Sequence, residues 1–577
     1  MRVTPPGSTA IRRAVTGLLA GALAGAAFLA TALGNPALGI LVGALLGAGY
    51  ALLVPATAPR PGSAADRAMT AAALGLPLWG AVNVLLLPLL AGGPPRWSAG
   101  ELRTLFPALV DWLLFGFALG LLVQLGASLA RRFLGPEPQP DSPPIPVIKT
   151  RIVVLGGGFA GVAAAENLER QFRDDPTVSL TLVSETNALL FTPMLAEVAA
   201  SSLEPTHISA PLRTSLKRTR VVRGRVAGID LEKRDVRLEP DVVGADGNTL
   251  PFDHVILALG AVSNYLGNES VEEHSLDFKT LADAIRIRNH VIACFDRADA
   301  EPDEDKRRAL LTFVIAGGGF SGAELAGGLN DFARGMLADY PNLSADELRV
   351  ILVHSRDRIL PELPESLAGY ALERMRARGV TFKLETRVAG AGPGSVTLKP
   401  EEKIATETLV WTAGSAPSPV LKDLPVEHDK RGAVVVENTL AVAGHSGVWA
   451  LGDCASIPDA KTGKPCPPTA QFAIREAPVL ARNLHASVHG KSLRGFHFNA
   501  LGILCVVGHH TACAEVKGFQ FSGLFAWLLW RGIYWVKLPG LERKVRVLSD
   551  WVIELFFPRD IVQTLDFEKP VASHRQP

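Results

Sequence analysis

Twice the chain runs from an apolar, strand-like stretch through a G-x-G-x-x-G turn into a helix-like stretch, at "RIVVLGGGFAGVAAAENLER" (151–170) and "TFVIAGGGFSGAELAGGLNDFARG" (312–335). In such a turn the first glycine permits the tight bend and the second lets the backbone approach a diphosphate. The third lets the helix pack closely, with the phosphate over the helix N-terminus. Gly156, Gly158 and Gly161 fill these places in the first unit, with Phe159 and Ala160 between them; Gly317, Gly319 and Gly322 fill them in the second, with Phe320 and Ser321 between. Two such units predict two Rossmann-like α/β folds and two dinucleotides. The simplest pairing is a bound flavin with a passing nicotinamide nucleotide, because a flavin takes up a hydride and releases electrons singly or in pairs.

The order of the later segments assigns the two folds. "VILALGAVSN" (255–264), "LVWTAGSAPS" (409–418) and "GVWALGDCASIP" (447–458) each pass from a strand to a glycine, at Gly260, Gly414 and Gly452. The last places Asp453 where a carboxylate can bind a ribityl hydroxyl, and it comes after the second unit, so the first fold is interrupted by the second. The expected domains are a flavin-binding domain at 151–285 and 409–490, with the nicotinamide-binding domain, 286–408, inserted. The strand "VSLTLVSE" ends in Glu185, a candidate for an adenosine ribose whose alternative is a solvated loop residue.

At 577 residues the chain exceeds what one hydrophobic core supports. Lys+Arg at 58 against Asp+Glu at 57 supplies no field for nucleic acid, which is excluded as an expected partner. The five cysteines form no C-x-x-C and none precedes Cys294, which argues against a disulfide framework, a metal site and a dithiol centre. Four apolar stretches, at about 14–33, 37–58, 68–92 and 105–130, approach the ~20 residues that cross a bilayer, so residues 1–134 are expected to form a four-helix transmembrane region. Gly17, Gly21 and Gly25 in the first stretch and Gly39, Gly43 and Gly47 in the second predict a close helix pair. Asp111 beside Trp112 is expected at the membrane interface. Arg2, Arg12, Arg13, Arg60, Arg67, Arg131 and Arg132 fall on one side of the four-pass topology, and only Arg96 and Arg103 on the other. The positive-inside rule then makes the chain multi-pass in a cell inner membrane, with its catalytic domain on the cytoplasmic side. Residues 135–149, with six prolines, predict an extended linker.

Residues from about 150 to 570 resemble the type II NADH dehydrogenases, the single-subunit, non-pumping NADH:quinone oxidoreductases. The likeness is carried by "LVSETNALLFTPMLAEVA" (182–199), "LGAVSNYLG" (259–267), "GGGFSGAELAGGL" (317–329) and "PPTAQFAIREA" (467–477). It implies the two-dinucleotide-binding-domain flavoprotein fold, FAD as cofactor, and a membrane quinone as acceptor. It also implies that Ala470, Gln471 and Ala473 lie beside the flavin at the quinone pocket, with Ile474 and Arg475 continuing it. Gln471 would hydrogen-bond the quinone carbonyl, and Glu324 would orient the nicotinamide or relay a proton. Arg475 stands where the family often has a second glutamine. Where an acidic residue would bind the ribose of NADH, this chain has His354, followed by Ser355 and Arg356, so the donor is NADH or NADPH.

Residues 491–577 are expected to anchor or dimerise the protein. Four of the nine tryptophans (Trp527, Trp530, Trp535, Trp551) alternate there with basic residues, as in amphipathic helices at a lipid surface, and "LPG" (538–540) reads as the turn between two of them. A homodimer contact is the alternative use of this pair. Rival functions are a sulfide:quinone oxidoreductase, which would need redox cysteines early in the chain, and a redox-responsive flavoprotein anchor without quinone turnover.

Overall fold

The computed structural model describes residues 7–57, 64–96, 99–134, 147–239 and 248–563, and the chain divides into two compact units, Met1–Ile145 and Pro146–Pro577. Arg2, Arg60 and residues 135–146 of the expected linker lie outside the described residues.

In the first unit, among the described residues, three helical runs are long and apolar enough to cross a membrane: Ile11–Ala32, Ala68–Leu90 and Phe106–Ala130. Four were expected. The remaining stretch is the helix Pro36–Thr57, whose 22 residues at 1.5 Å each give about 33 Å, with a described apolar run of Pro36–Leu52. The glycine pattern does bring two backbones together: a Cβ on Gly21 would lie 2.0 Å from the Gly43 carbonyl oxygen. Trp112 is fully buried and donates from Nε1 to Asn83 Oδ1 at 2.7 Å, while Asn83 Nδ2 donates to the Ala32 carbonyl at 2.9 Å. Asp111 accepts from Thr31 Oγ1 at 2.8 Å. These bonds tie separate helices together and satisfy polar groups that apolar surroundings would leave costly.

The second unit holds two five-stranded parallel sheets that share the order of four strands and differ in the fifth, an edge strand that comes last in the chain in the first sheet and first in the chain in the second. In the first, Thr150–Leu155 is central, flanked by Val178–Ser184 and His254–Leu257, with Arg220–Arg223 and Val448–Ala450 outside them. In the second, Thr312–Ala316 is central, flanked by Arg349–Val353 and Thr408–Trp411, with Val380–Lys383 and Leu276–Asp277 outside. Both central strands are covered on both faces, which is why they read as unbroken apolar runs. Two expected boundaries move. Leu276–Asp277 already belongs to the second sheet, so the chain leaves the first fold before 286. Leu409, Val410 and Trp411 pair with Val314, Ile315 and Ala316, so it returns after Trp411 and not at 409.

Beyond the two folds, Gly502–Val506, Ala512–Val516 and Phe519–Ser522 form an antiparallel sheet that the apolar pattern of the sequence does not announce. Helices Gly523–Lys537 and Leu541–Glu554 come next, separated at Gly540, whose φ is +82°. Leu524, Leu528, Leu541, Val545, Leu548 and Val552 are exposed, giving the pair an apolar outer surface.

Candidate functional site

Both glycine turns sit at the carboxyl end of a central strand, the switch point where open α/β sheets bind ligands. They are built alike. Gly156 and Gly317 have φ of +114° and +116°, and each donates its N–H at 2.8 Å to the neighbouring strand, at Val183 and Val353. Gly158 and Gly319 begin the helices Phe159–Gln171 and Phe320–Met336 without a side-chain cap. The orphan N–H groups of both first turns are therefore left for an anionic ligand.

The first turn is completed by the segments expected to return to it. Gly260 and Gly452 have positive φ, and Gly452 packs between Ala160 and Ala473: a Cβ there would come within 2.8 Å of one methyl and 3.6 Å of the other. Gly414 lies against the Asn264 carbonyl. Burial raises the Asp453 carboxyl above its ordinary range, with Lys279 and Arg431 opposing. Beside it the Gly452 N–H donates to Glu476 Oε2 at 2.8 Å, and burial pushes Glu476 up to about 7. Glu476, which orients the Asp453 loop, was missed in the sequence; the only signal was one carboxylate inside the apolar helix face of "AIREAPVL". An uncapped helix over a glycine cradle, with the Asp453 carboxyl beside it, fits a flavin dinucleotide. Glu185 follows the strand, which ends at Ser184, and is exposed and paired with Arg225 at 3.3 Å. Phe159 meets Phe191 edge to face at 5.7 Å, and Phe191 meets Tyr534 at 6.0 Å, linking the first turn to the C-terminal helices.

At the second turn the Gly318 N–H donates to His354 Nδ1 at 3.0 Å. That bond fixes the proton of the neutral ring on Nε2, which is buried and has no protein partner. Burial and then Arg356 hold the His354 pKa below its ordinary value. Ser355 and Arg356 are exposed on the same loop, and Ser321 is open at the helix start.

On the other side of the first turn, helix Ala470–Val488 presents Ala470, Gln471 and Ala473, with Ile474 and Arg475 exposed. Gln471 is more committed than expected: its Oε1 accepts the Leu501 N–H at 2.7 Å and its Nε2 donates to the Gly502 carbonyl at 3.2 Å. Its amide ties this helix to the C-terminal sheet. Glu324 accepts the Val506 N–H at 3.4 Å, and burial pushes it up to about 8. It lines one pocket with Glu197, a second acid that the sequence alone does not single out, because Glu197's ion partner, Arg531, is far away in the chain. Burial pushes the Cys454 thiol up to about 12, and all five cysteines are free.

Residues 150–477 match the family model described as pyridine nucleotide-disulphide oxidoreductase, and residues 501–560 match the NDH2 C-terminal domain. A type II NADH:quinone oxidoreductase of Mycobacterium tuberculosis is 32% identical over 421 residues, covering 70% of this chain and 86% of that protein. A demethylphylloquinone reductase of Synechocystis is 28% identical over 418 residues, covering 70% of this chain and 98% of that protein. The structure of NDH2 from Plasmodium falciparum in complex with NADH shares the fold with a TM-score of 0.66, at 18% identity, covering 72% of this chain and 100% of that one.

Proposed function

The chain belongs to the pyridine nucleotide-disulphide oxidoreductases and, within them, to the type II NADH:quinone oxidoreductases, and from that premise we propose an enzyme that holds FAD in its first fold, takes NADH in its second and reduces a membrane quinone without pumping protons. Bound there, a flavin supplies two-electron chemistry between a nicotinamide and a quinone. The observation that carries the reading is the duplicated site: two parallel sheets, each with a left-handed glycine and an uncapped helix at its central strand.

In this reading the first turn's N–H groups hold a diphosphate, and Asp453, oriented through Glu476 and Gly452, receives a ribityl hydroxyl. Glu185 serves the adenosine ribose. Ala470, Gln471, Ala473, Ile474 and Arg475 wall the quinone pocket, with Gln471 keeping the helix against the C-terminal sheet. Glu324, protonated at neutral pH by its burial, holds a proton beside the reacting rings. Most of the rate comes from bringing donor and acceptor into contact, because the hydride chemistry belongs to the cofactors. The exposed apolar surface of the two C-terminal helices supports docking on a bilayer, the first unit's apolar helices support a multi-pass anchor, and the arginine bias of its flanks favours a cytoplasmic catalytic unit.

One observation favours a broader donor range. His354 offers an N–H and no carboxylate, and Arg356 is exposed beside it, so the loop accepts the 2′-phosphate of NADPH as well as a ribose hydroxyl. Anaerobic bleaching of the protein by each donor tests this. Bleaching by both is expected, and bleaching by NADH alone would remove the NADPH reading.

A further inference from the structure

A small pocket lies between the second glycine-turn helix, the short helix Leu195–Ala199 and the C-terminal helices, and it is lined by both Glu324 and Glu197. Around it is a chain of buried charges. Arg531 Nη2 lies 3.5 Å from Glu197 Oε1 and 3.1 Å from Glu554 Oε2, and its guanidinium sits between the rings of Trp527 and Trp551, at 4.0 and 4.6 Å. Arg559 pairs with Glu554 Oε1 at 3.0 Å and donates to the Ala200 and Gly328 carbonyls.

Charge counting shows what this cluster needs. Two arginines, Arg531 and Arg559, face three carboxylates, Glu554, Glu197 and Glu324. A buried set with one surplus negative charge is costly unless one acid carries a proton. Glu554 is not that acid. Burial pushes it up, but Arg559, Ser202 and Arg531 outweigh burial and hold it below its ordinary range. Glu197 is pushed up to about 7, by burial first, against Arg531.

The remaining charged groups do not change the count. Asp331 is paired with Arg378 at 2.8 Å, and burial, then His510, lowers the pKa of His509. Arg288, from the helix Leu281–Ala300, donates to the Val562 carbonyl and is not among the residues lining the pocket. The proton therefore resides on the pair Glu197 and Glu324. Three polar atoms among the lining residues, Glu197 Oε2, Trp530 Nε1 and Arg531 Nε, are buried without a protein partner, and Trp530 is only 2% exposed. Such atoms are what ordered water satisfies. A second pocket, open to solvent, shares Asp331, His509 and Arg559 with the first and reaches exposed Asp339 and Phe557.

We propose that Glu197 is a proton-relay residue, passing a proton taken up from solvent, through the two adjoining cavities, to Glu324. The inference rests on the quinone reductase reading. One turnover converts NADH, a quinone and one proton to NAD⁺ and a quinol; the two electrons travel with the hydride, and the solvent proton is the one that needs a path.

The test uses the full-length, flavin-loaded protein in lipid nanodiscs. Glu197→Gln keeps the shape and the contact to Arg531 but cannot exchange a proton. Bleaching by NADH is expected at the wild-type rate, while reoxidation by a soluble quinone slows by about tenfold, less than the ~100-fold or more of a directly acting acid because water partly bypasses a relay. Added formate, a small weak acid, is expected to restore it. Independently of activity, an infrared pH titration is expected to show a protonated-carboxyl band with a midpoint near 7 that is absent from E197Q. Glu197→Asp, which retains a carboxyl, is expected to recover part of the rate and the wild-type pH profile.

E197Q reoxidised at the wild-type rate, an unchanged infrared titration, or E197D behaving as E197Q does would overturn the relay. A wild-type protein that bleaches but is never reoxidised by quinone would overturn the quinone reading and the relay with it.

Discussion

Alanine at the third glycine of each turn separates the roles of the two folds. A Cβ on Gly161 would lie 1.9 Å from the Gly156 carbonyl oxygen, and one on Gly322 would lie 1.8 Å from that of Gly317. Non-bonded heavy atoms settle near about 3.5 Å, so each helix must withdraw from its own turn by roughly the difference. Overpacking of this kind costs about 1–3 kcal/mol. The helix N-terminus moves with it, so the cost falls on whatever diphosphate that helix holds. At about 1.4 kcal/mol per tenfold, nucleotide binding weakens about 5- to 150-fold. For Gly322→Ala the expected result is an unchanged flavin-to-protein ratio and a rise of that size in the NADH concentration giving half-maximal bleaching rate. For Gly161→Ala the expected result is flavin loss on dilution, with thermal melting of each variant checking that the fold persists. The assignment is refuted if G322A sheds flavin while G161A keeps it.

The same geometry sets three further outcomes. His354→Glu replaces a donor by a carboxylate next to the adenosine ribose, and the preference for NADH over NADPH, measured as the ratio of kcat/KM values, is expected to rise by about tenfold or more, since like charges near a protein surface repel by more than about 1.4 kcal/mol. Glu324 is raised from its ordinary 4.5 to about 8, so the folded state binds the extra proton; its contribution to stability is complete below 4.5 and lost as pH rises through about 8. Thermal melting of Glu324→Gln should therefore show a flatter decline across that window than wild type, and an identical decline would contradict the buried acid. Gln471→Ala frees the Leu501 N–H and the Gly502 carbonyl; Leu501 is exposed, so water replaces part of what is lost and the stability cost stays at about 1 kcal/mol. Steady-state assays should show a raised KM for quinone with bleaching by NADH unchanged.

The glycine turns were legible because their chemistry is local: the positive φ of Gly156 and Gly317 and the tight packing of Gly161 and Gly322 are demands one stretch of sequence makes alone. The close helix pair at Gly21 and Gly43 and the turn at Gly540 were legible for the same reason. What escaped depends on partners distant in the chain. Nothing near Glu197 announces Arg531, and nothing near Asn83 announces Trp112. Thr408–Trp411 is a strand of either sheet by its composition, and only pairing with Phe313–Ala316 assigns it. The hairpin of Gly502–Val506 and Ala512–Val516 was obscured because its apolar residues run into those of the following helix.

Anaerobic stopped-flow absorbance shows whether one fold keeps a flavin which NADH reduces and a quinone reoxidises. The purified protein is bleached with one equivalent of NADH and then mixed with a soluble quinone. Rapid bleaching, followed by full return of the yellow absorbance with one quinol formed per flavin, is the expected result. Bleaching that quinone fails to reverse, with colour returning only when oxygen is admitted, would contradict it.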